Sequence, residues 1–325
     1  MCRLLRALLV CGGFAALGGA RSALAQDVTK EGAAFLVMPV GARAVGVGQS
    51  VVASEIGGTG IWWNPASIAR IRRPELTLDY SQTSLGVQGI AIAGVYPAGL
   101  VGVVAVGAYL LDLGEQEATD LYGTIGTILP RDLVLGASYA ATIGRRVSVG
   151  VTYKLVQQRT DCTGSCGNLP LYVASTNGVD AGLQVAVDSA RRLVLGAALR
   201  NVGFNLQVND VPQADPLPLR LHLGARYLVP WVERRVQGAT LATVAEVMTH
   251  PADRKVQVRA GGEFALQNKY YLRAGYAMGS GELSGASVGL GIRRAGLAMD
   301  FAQSFGDGTT DRQRSPTYLT LRFGF

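Results

Sequence analysis

Residues Thr317 to Phe325 (TYLTLRFGF) alternate without a break. Leu319, Leu321, Phe323 and Phe325 fall on one parity; Tyr318, Thr320, Arg322 and Gly324 fall on the other. A strand sends successive side chains to opposite faces, so one face of this segment is wholly apolar and the other is polar or small. That is the pattern of a strand set between lipid and a wet lumen, closing a transmembrane barrel. A soluble double-sheet protein is the alternative reading of such alternation.

Nowhere after residue 25 is there an apolar run long enough for a spanning helix. If the chain crosses a membrane it does so as a closed barrel, because only helices and barrels satisfy every backbone group in lipid. Fourteen segments read as strands: 75–83, 87–97, 99–109, 132–144, 147–158, 178–187, 193–203, 218–227, 239–249, 255–265, 270–277, 284–293, 297–304 and 317–325. Most have the ~9–11 residues of a tilted membrane strand. In 256–264, for example, Val256, Val258, Ala260, Gly262 and Phe264 oppose Gln257, Arg259, Gly261 and Glu263. The connections alternate tight and long: 97–99, 144–146, 188–192, 266–269 and 294–296 are short, whereas 110–131, 159–177, 204–217 and 305–316 are long. Short periplasmic turns and longer outer loops predict this asymmetry. Leu228 to Gly238 is the one extended connection on the short-turn side.

The first residues read as an export leader. Arg3 and Arg6 precede an apolar stretch from Ala7 to Gly19, and Ala23-Leu24-Ala25 supplies small residues at a cleavage site. The stretch is shorter than the ~20 residues a membrane anchor needs, and Val10 before Cys11 does not suit a lipidation site. The expected organisation is therefore a signal peptide over 1–25, a luminal hatch over 26–74 and a barrel over 75–325, in a bacterial outer membrane.

Losing Arg3, Arg6 and Arg21 without any acid lowers the formal charge from +7 to +4. With no basic helix and no aromatic–basic cluster, nothing points to nucleic acid. Forty-three glycines, two histidines and 16% charged residues suit many short strands better than an enzyme core. After cleavage two cysteines remain, Cys162 and Cys166, and a disulfide across this short loop is expected in an oxidising compartment. No second Cys pair and no nearby His support a metal; no metal and no cofactor are expected.

The stretch 27–74 is not strand-like. Asn64 reads as an N-cap and Pro65 as a first helical residue, predicting a short helix to about Ile71 with Trp62 and Trp63 packed ahead of it. Here the chain resembles a known family. GARAVGVGQSVVA (41–53) followed by WWNPASIA (62–69), and ADPLPLRLHLGARY (214–227), are similar to the PorV/PorQ family within the wider FadL-like outer-membrane barrels. The resemblance covers essentially the whole mature chain. It implies a 14-stranded antiparallel barrel with an N-terminal hatch in the lumen, and marks Trp62, Trp63, Asn64, Pro65 and Ala66 as the hatch motif. The terminal aromatics Phe323 and Phe325 look like the signal read by the barrel-assembly machinery. Two roles are implied. In the PorV branch the barrel carries cargo of type IX secretion between the translocon and the surface attachment complex. In the FadL branch it admits hydrophobic molecules when the hatch shifts. Secretion is the first expectation and uptake the alternative; outer-membrane lipid is a partner in either.

One enzyme motif occurs, Gly285-Ala286-Ser287-Val288-Gly289. It falls inside a strand rather than at a strand-to-helix turn, and neither His222 nor His250 is placed beside Ser287, so a small-residue barrel strand is the better reading. The predicted lumen carries both signs: Asp79, Lys154, Arg220, Arg226, Glu246, Arg259, Glu263, Arg273, Asp300 and Arg322. These groups either line an aqueous pore or pair into a network that holds the hatch; mixed signs favour the second, because buried charges need partners. Residues 87–108 are small or apolar on both faces, which predicts that this hairpin packs on the hatch, with Gly94 and Gly102 as points of close approach and a candidate lateral opening.

Overall fold

The computed structural model describes residues 31–83, 86–164, 166, 172–208, 214–251, 255–279, 284–306 and 315–325. The expected signal peptide lies outside the described residues.

Fourteen antiparallel staves form a closed barrel. They are Glu75–Gln82, Gln88–Pro97, Val103–Asp112, Gly123–Ile143, Val147–Gly164, Tyr172–Ala186, Leu193–Gly203, Arg220–Leu228, Ala239–Thr249, Val256–Leu266, Tyr270–Gly279, Gly285–Arg294, Leu297–Phe305 and Thr317–Gly324. Each pairs with the next in sequence, and the first pairs with the last from Glu75↔Gly324 to Gln82↔Thr317. No sheet edge is left open, as lipid requires. No described helix is long and apolar enough to cross a membrane.

Parity sets the two faces. Along the twelfth stave Ser287 and Gly289 are buried while Val288 and Leu290 are exposed. Along the second, Ala91, Ala93 and Val95 turn inward and Ile90, Ile92 and Tyr96 outward. The exposed large side chains are mostly aliphatic and aromatic, the surface a bilayer solvates.

Three staves run longer than expected. The fourth, fifth and sixth extend to Gly123, Gly164 and Tyr172, and the fourth and fifth stay paired out to Gly126↔Gly164. Gln116–Asp120 adds a further strand on this ribbon. These stretches read as loops because Pro130, the glycines and the polar residues erase apolar alternation. Beyond the lipid no face need be apolar, and backbone hydrogen bonds alone sustain the ladder. The third stave starts at Val103 rather than Gly99, because Gly99–Val101 makes a 3₁₀ turn and Gly102 has φ +132°. Cys162 and Cys166 are joined near the ribbon's tip, with Cα atoms 6.4 Å apart.

Residues 31–71 lie largely inside the barrel, 72–74 lead out to the first stave, and none of them contributes a stave. Their elements are short: 3₁₀ turns Ala34–Val37, Gly57–Trp62 and Pro65–Ile68, and one helical turn Ala42–Gly46. The helix expected from Asn64 to Ile71 is only the 3₁₀ turn Pro65–Ile68, capped by Asn64 as anticipated. The seat against the wall leaves no room for further turns. Ala42, Ala44, Ile61, Asn64 and Ile68 are completely buried.

Candidate functional site

The hatch rests on glycine. At mid-height, nine staves turn a glycine inward: Gly107, Gly136, Gly150, Gly182, Gly196, Gly224, Gly261, Gly275 and Gly289. Several face each other across the ladder, as in Gly107↔Gly136, Gly150↔Gly182, Gly196↔Gly224 and Gly261↔Gly275. The hatch fills or borders the space a side chain would take, by backbone at Gly150, Gly196, Gly261, Gly275 and Gly289 and by side chain at Gly107, Gly136, Gly182 and Gly224. A methyl on Gly150 would lie 2.5 Å from the Pro65 carbonyl carbon; one on Gly107 would lie 2.6 Å from Ile61. Gly261 and Gly275 meet Val47 and Gly48, and Gly196 and Gly224 meet Val52.

The 87–108 hairpin packs on the hatch, but not through Gly94 and Gly102. Gly94 faces outward, and a methyl group there would have nothing within 4 Å. Gly102 lies in the short turn beside Tyr139 and Ala140, away from the hatch. Gly107, on the inward parity, makes the close approach instead. The hairpin's ladders are unbroken on both sides, over Glu75↔Val95 to Gln82↔Gln88 and Val103↔Ala140 to Asp112↔Arg131. Among the described residues no lateral gap opens in these ladders.

Polar ties fix the hatch on this seat. The Val52 peptide is held from both ends. Its carbonyl accepts from Asn64 Nδ2 at 2.6 Å and Gln184 Nε2 at 3.0 Å, and its N–H donates to Glu246 Oε2 at 3.0 Å. His222 Nδ1 lies 2.7 Å from Glu246 Oε1, and Arg259 Nη1 lies 3.8 Å from the same oxygen. Asn64 Nδ2 is also 3.3 Å from the carbonyls of Leu183 and Ala197 on the sixth and seventh staves, while its Oδ1 accepts from Ala66 N. One amide thus caps its own turn and ties two loops of the hatch to the wall.

A second tie is ionic. Arg43 of the hatch makes a two-pronged pair with Glu263, 2.8 Å on each arm, and donates to the Glu55 carbonyl. Arg273 reaches both Glu263 (2.6 Å) and Asp300 (2.8 Å). Burial disfavours charge on Arg43, but Glu263 outweighs it and holds the guanidinium's pKa above its ordinary value. A third tie runs through Thr320, which accepts from Ala42 N and donates to Asp79. Arg220 pairs with Glu31, which also contacts His250.

The remaining expected site residues are placed as follows. Lys154 pairs with Asp180 at 2.6 Å. Arg226 donates to the Arg191 carbonyl, and it and Arg322 border a cavity of about 460 Å³ between the hatch and the short turns. Trp62 packs against Gly107 and Gly136 with its ring centroid 6.1 Å from that of Tyr109. Trp63 donates to the Val40 carbonyl and lies under Arg200. Pro65 and Ala66 abut Gly150 and Gly182. Phe323 sits in the closing ladder opposite Leu76 and Leu297; Phe325 is exposed, its N–H donating to Pro74. Ser287 lies mid-strand and accepts from Gly48 N, while His222 is engaged by Glu246. Among the described residues no cluster of His, Cys, Asp and Glu could hold a metal.

The inner wall is divided by chemistry. Staves two to four present mostly Ala91, Val95, Ala105, Tyr109, Leu111 and Val134, with Asp132 and Ser138 the buried polar residues on stave four; the buried ion pairs lie on staves five and six and on staves eight to thirteen. Asn64 and Glu263 are legible in sequence, but Arg43, Val52, Gln184, Asp180 and the glycine seat are not. An inward-parity glycine on stave after stave was the available signal.

No family model and no curated protein matches the chain. Solved structures do. The toluene transporter TodX of P. putida superposes with a TM-score of 0.60 at 15% identity, covering 88% of this chain and 98% of that one. The toluene transporter TbuX of Ralstonia pickettii gives 0.57 at 14%, with 88% and 98% covered. A FadL homologue of Pseudomonas aeruginosa gives 0.54 at 13%, again with 88% and 98% covered. At these identities the likeness is one of fold: the closed antiparallel barrel that these transporters share.

Proposed function

We propose that this barrel is a channel for small hydrophobic molecules, gated by its hatch. The observation that carries the reading is the divided lumen. An apolar wall on staves two to four runs beside a plug held to the opposite wall by polar ties, with a cavity of about 460 Å³ on the short-turn side. Releasing the plug would join the apolar wall to that cavity. The fold neighbours named as transporters of toluene support passage of apolar molecules. The secretion role implied by the resemblance to PorV/PorQ has no finding behind it. No enzyme chemistry is proposed, since Ser287 is committed to the hatch backbone.

The test is uptake of radiolabelled toluene by cells stripped of other hydrocarbon channels. Expression should raise the initial rate over an empty vector at equal surface abundance. An Ala42→Cys/Thr320→Cys pair, placed where the hatch meets the fourteenth stave, should make that rate fall on oxidation and recover on reduction. An unchanged rate for the unmodified protein would overturn the proposal.

A further inference from the structure

Five points at the short-turn end carry two successive arginines: 72–73, 145–146, 191–192, 234–235 and 293–294 are all Arg–Arg. They are spaced around the circumference, before the first stave, in the connections after the fourth, sixth and eighth, and at the end of the twelfth stave. Nine of the ten side chains are exposed; Arg191 is half-buried and pairs with Glu55. Arg72, Arg73, Arg145, Arg192 and Arg294 make no ion pair among the described residues. The acids at this end, Glu55, Glu75, Asp188 and Glu233, are far fewer. The opposite end is the reverse: Asp112, Glu115, Glu117, Asp120 and Asp161 on the ribbon face only Arg131 and Arg159.

Apolar anchors share the basic rim. Trp231 is 61% exposed with Arg235 stacked 5.9 Å from its ring centre, and Leu100 and Val101 project from the turn after the second stave. An aromatic and aliphatic belt next to arginines is the composition of a membrane–water boundary.

We propose that this rim binds the phosphate headgroups of anionic phospholipids in the leaflet it faces. Guanidinium matches phosphate with two parallel hydrogen bonds, and basic residues at a membrane surface attract anionic lipid. The full-circle distribution favours lipid over an acidic protein, which would dock on one sector; only the annulus touches every turn. The inference rests on the barrel being membrane-embedded, but not on what passes through it.

The test uses the full chain in phosphatidylcholine bilayers, with spin-labelled phosphatidylglycerol or phosphatidylcholine as probe. The annular fraction of phosphatidylglycerol should exceed that of phosphatidylcholine by about threefold or more at ~0.1 M salt. It should fall to parity near ~1 M salt, where screening shortens to a few ångströms. Arg145→Gln/Arg146→Gln should lose part of the preference, and adding Arg234→Gln/Arg235→Gln and Arg293→Gln/Arg294→Gln should lose most of it. Equal association of the two labels overturns the proposal and turns the rim toward an acidic protein. A preference untouched by the six substitutions overturns it too, as does complete loss from the first pair alone, which would mark a single pocket. If the sixfold variant does not fold, the salt series on the unmodified chain decides: a preference indifferent to salt rejects the headgroup reading. Failure to enter the bilayer at all would instead reject the barrel, and toluene uptake is not read by this assay.

Discussion

Asn64 Oδ1 occupies the place that a side chain on Gly182 would take. The residue that ties the hatch together therefore depends on the absence of a single carbon on the barrel wall. Gly182→Ala should push Asn64 off its three carbonyls and destabilise the barrel by about 1–3 kcal/mol, the usual cost of overpacking. Gly94→Ala, on an outward face with open space, should be neutral. Urea midpoints of the two variants in the same detergent check the contrast.

Asn64 itself separates two kinds of damage. Asn64→Ala leaves the Val52 carbonyl with Gln184 alone and should cost about 1–3 kcal/mol. Asn64→Asp keeps the acceptor for Ala66 N but turns a carboxylate oxygen on the carbonyls of Val52, Leu183 and Ala197. The aspartate variant should release the hatch more fully than the alanine variant. Hydrogen exchange at the Val52 amide measures this directly; equal protection in the two variants would contradict it.

Glu263 should matter more than its partner Arg43. Removing Arg43 leaves Glu263 paired with Arg273. Removing Glu263 leaves Arg43 with no carboxylate partner, because Arg273 retains Asp300 whereas Arg43 retains only the Glu55 carbonyl. Glu263→Ala is expected to cost about 1–3 kcal/mol, less than the loss of a fully buried partner because Arg43 borders the cavity, and Arg43→Ala less. Equilibrium unfolding of both variants gives the order.

The turn between the sixth and seventh staves should loosen in acid. Asp188 accepts from the N–H groups of Leu193 and Arg192, at 2.9 and 3.2 Å, and these bonds hold its carboxyl below the ordinary value. A depressed value means that the contribution is complete above the unfolded carboxylate's pKa of about 3.9 and fades as pH falls through the folded one. Protection of the Leu193 amide should therefore drop at the acid end of a pH series, and Asp188→Asn should flatten the profile.

Much of the barrel was legible because parity is a strong signal wherever one face meets lipid. Val256 to Phe264 and Leu319 to Phe323 show their two faces in the letters alone, and the tight turns at 144–146 and 294–296 fall where the staves end. The same signal failed above the lipid, in 123–131 and 159–164, where nothing rewards an apolar face. In the hatch, Asn64-Pro65 announced a capped turn, but its length was set by the wall and not by propensity. The lumen charges were visible one by one. Their partners were not, since Arg43 and Glu263 are 220 positions apart. Composition alone points to Gly94 and Gly102, whereas inward parity points to Gly107.

A bore lined with hydrogen atoms offers a plug no teeth to catch on. Apart from Trp62, Ile61 and Val52, little of the hatch interlocks with the wall through bulky side chains at the belt, so displacing it draws few large groups through narrow gaps. Resistance resides instead in a handful of amide and carboxylate contacts that water is able to replace one after another. Such a stopper is suited to tilting or sliding in place, and returns to the same rest position when those contacts re-form.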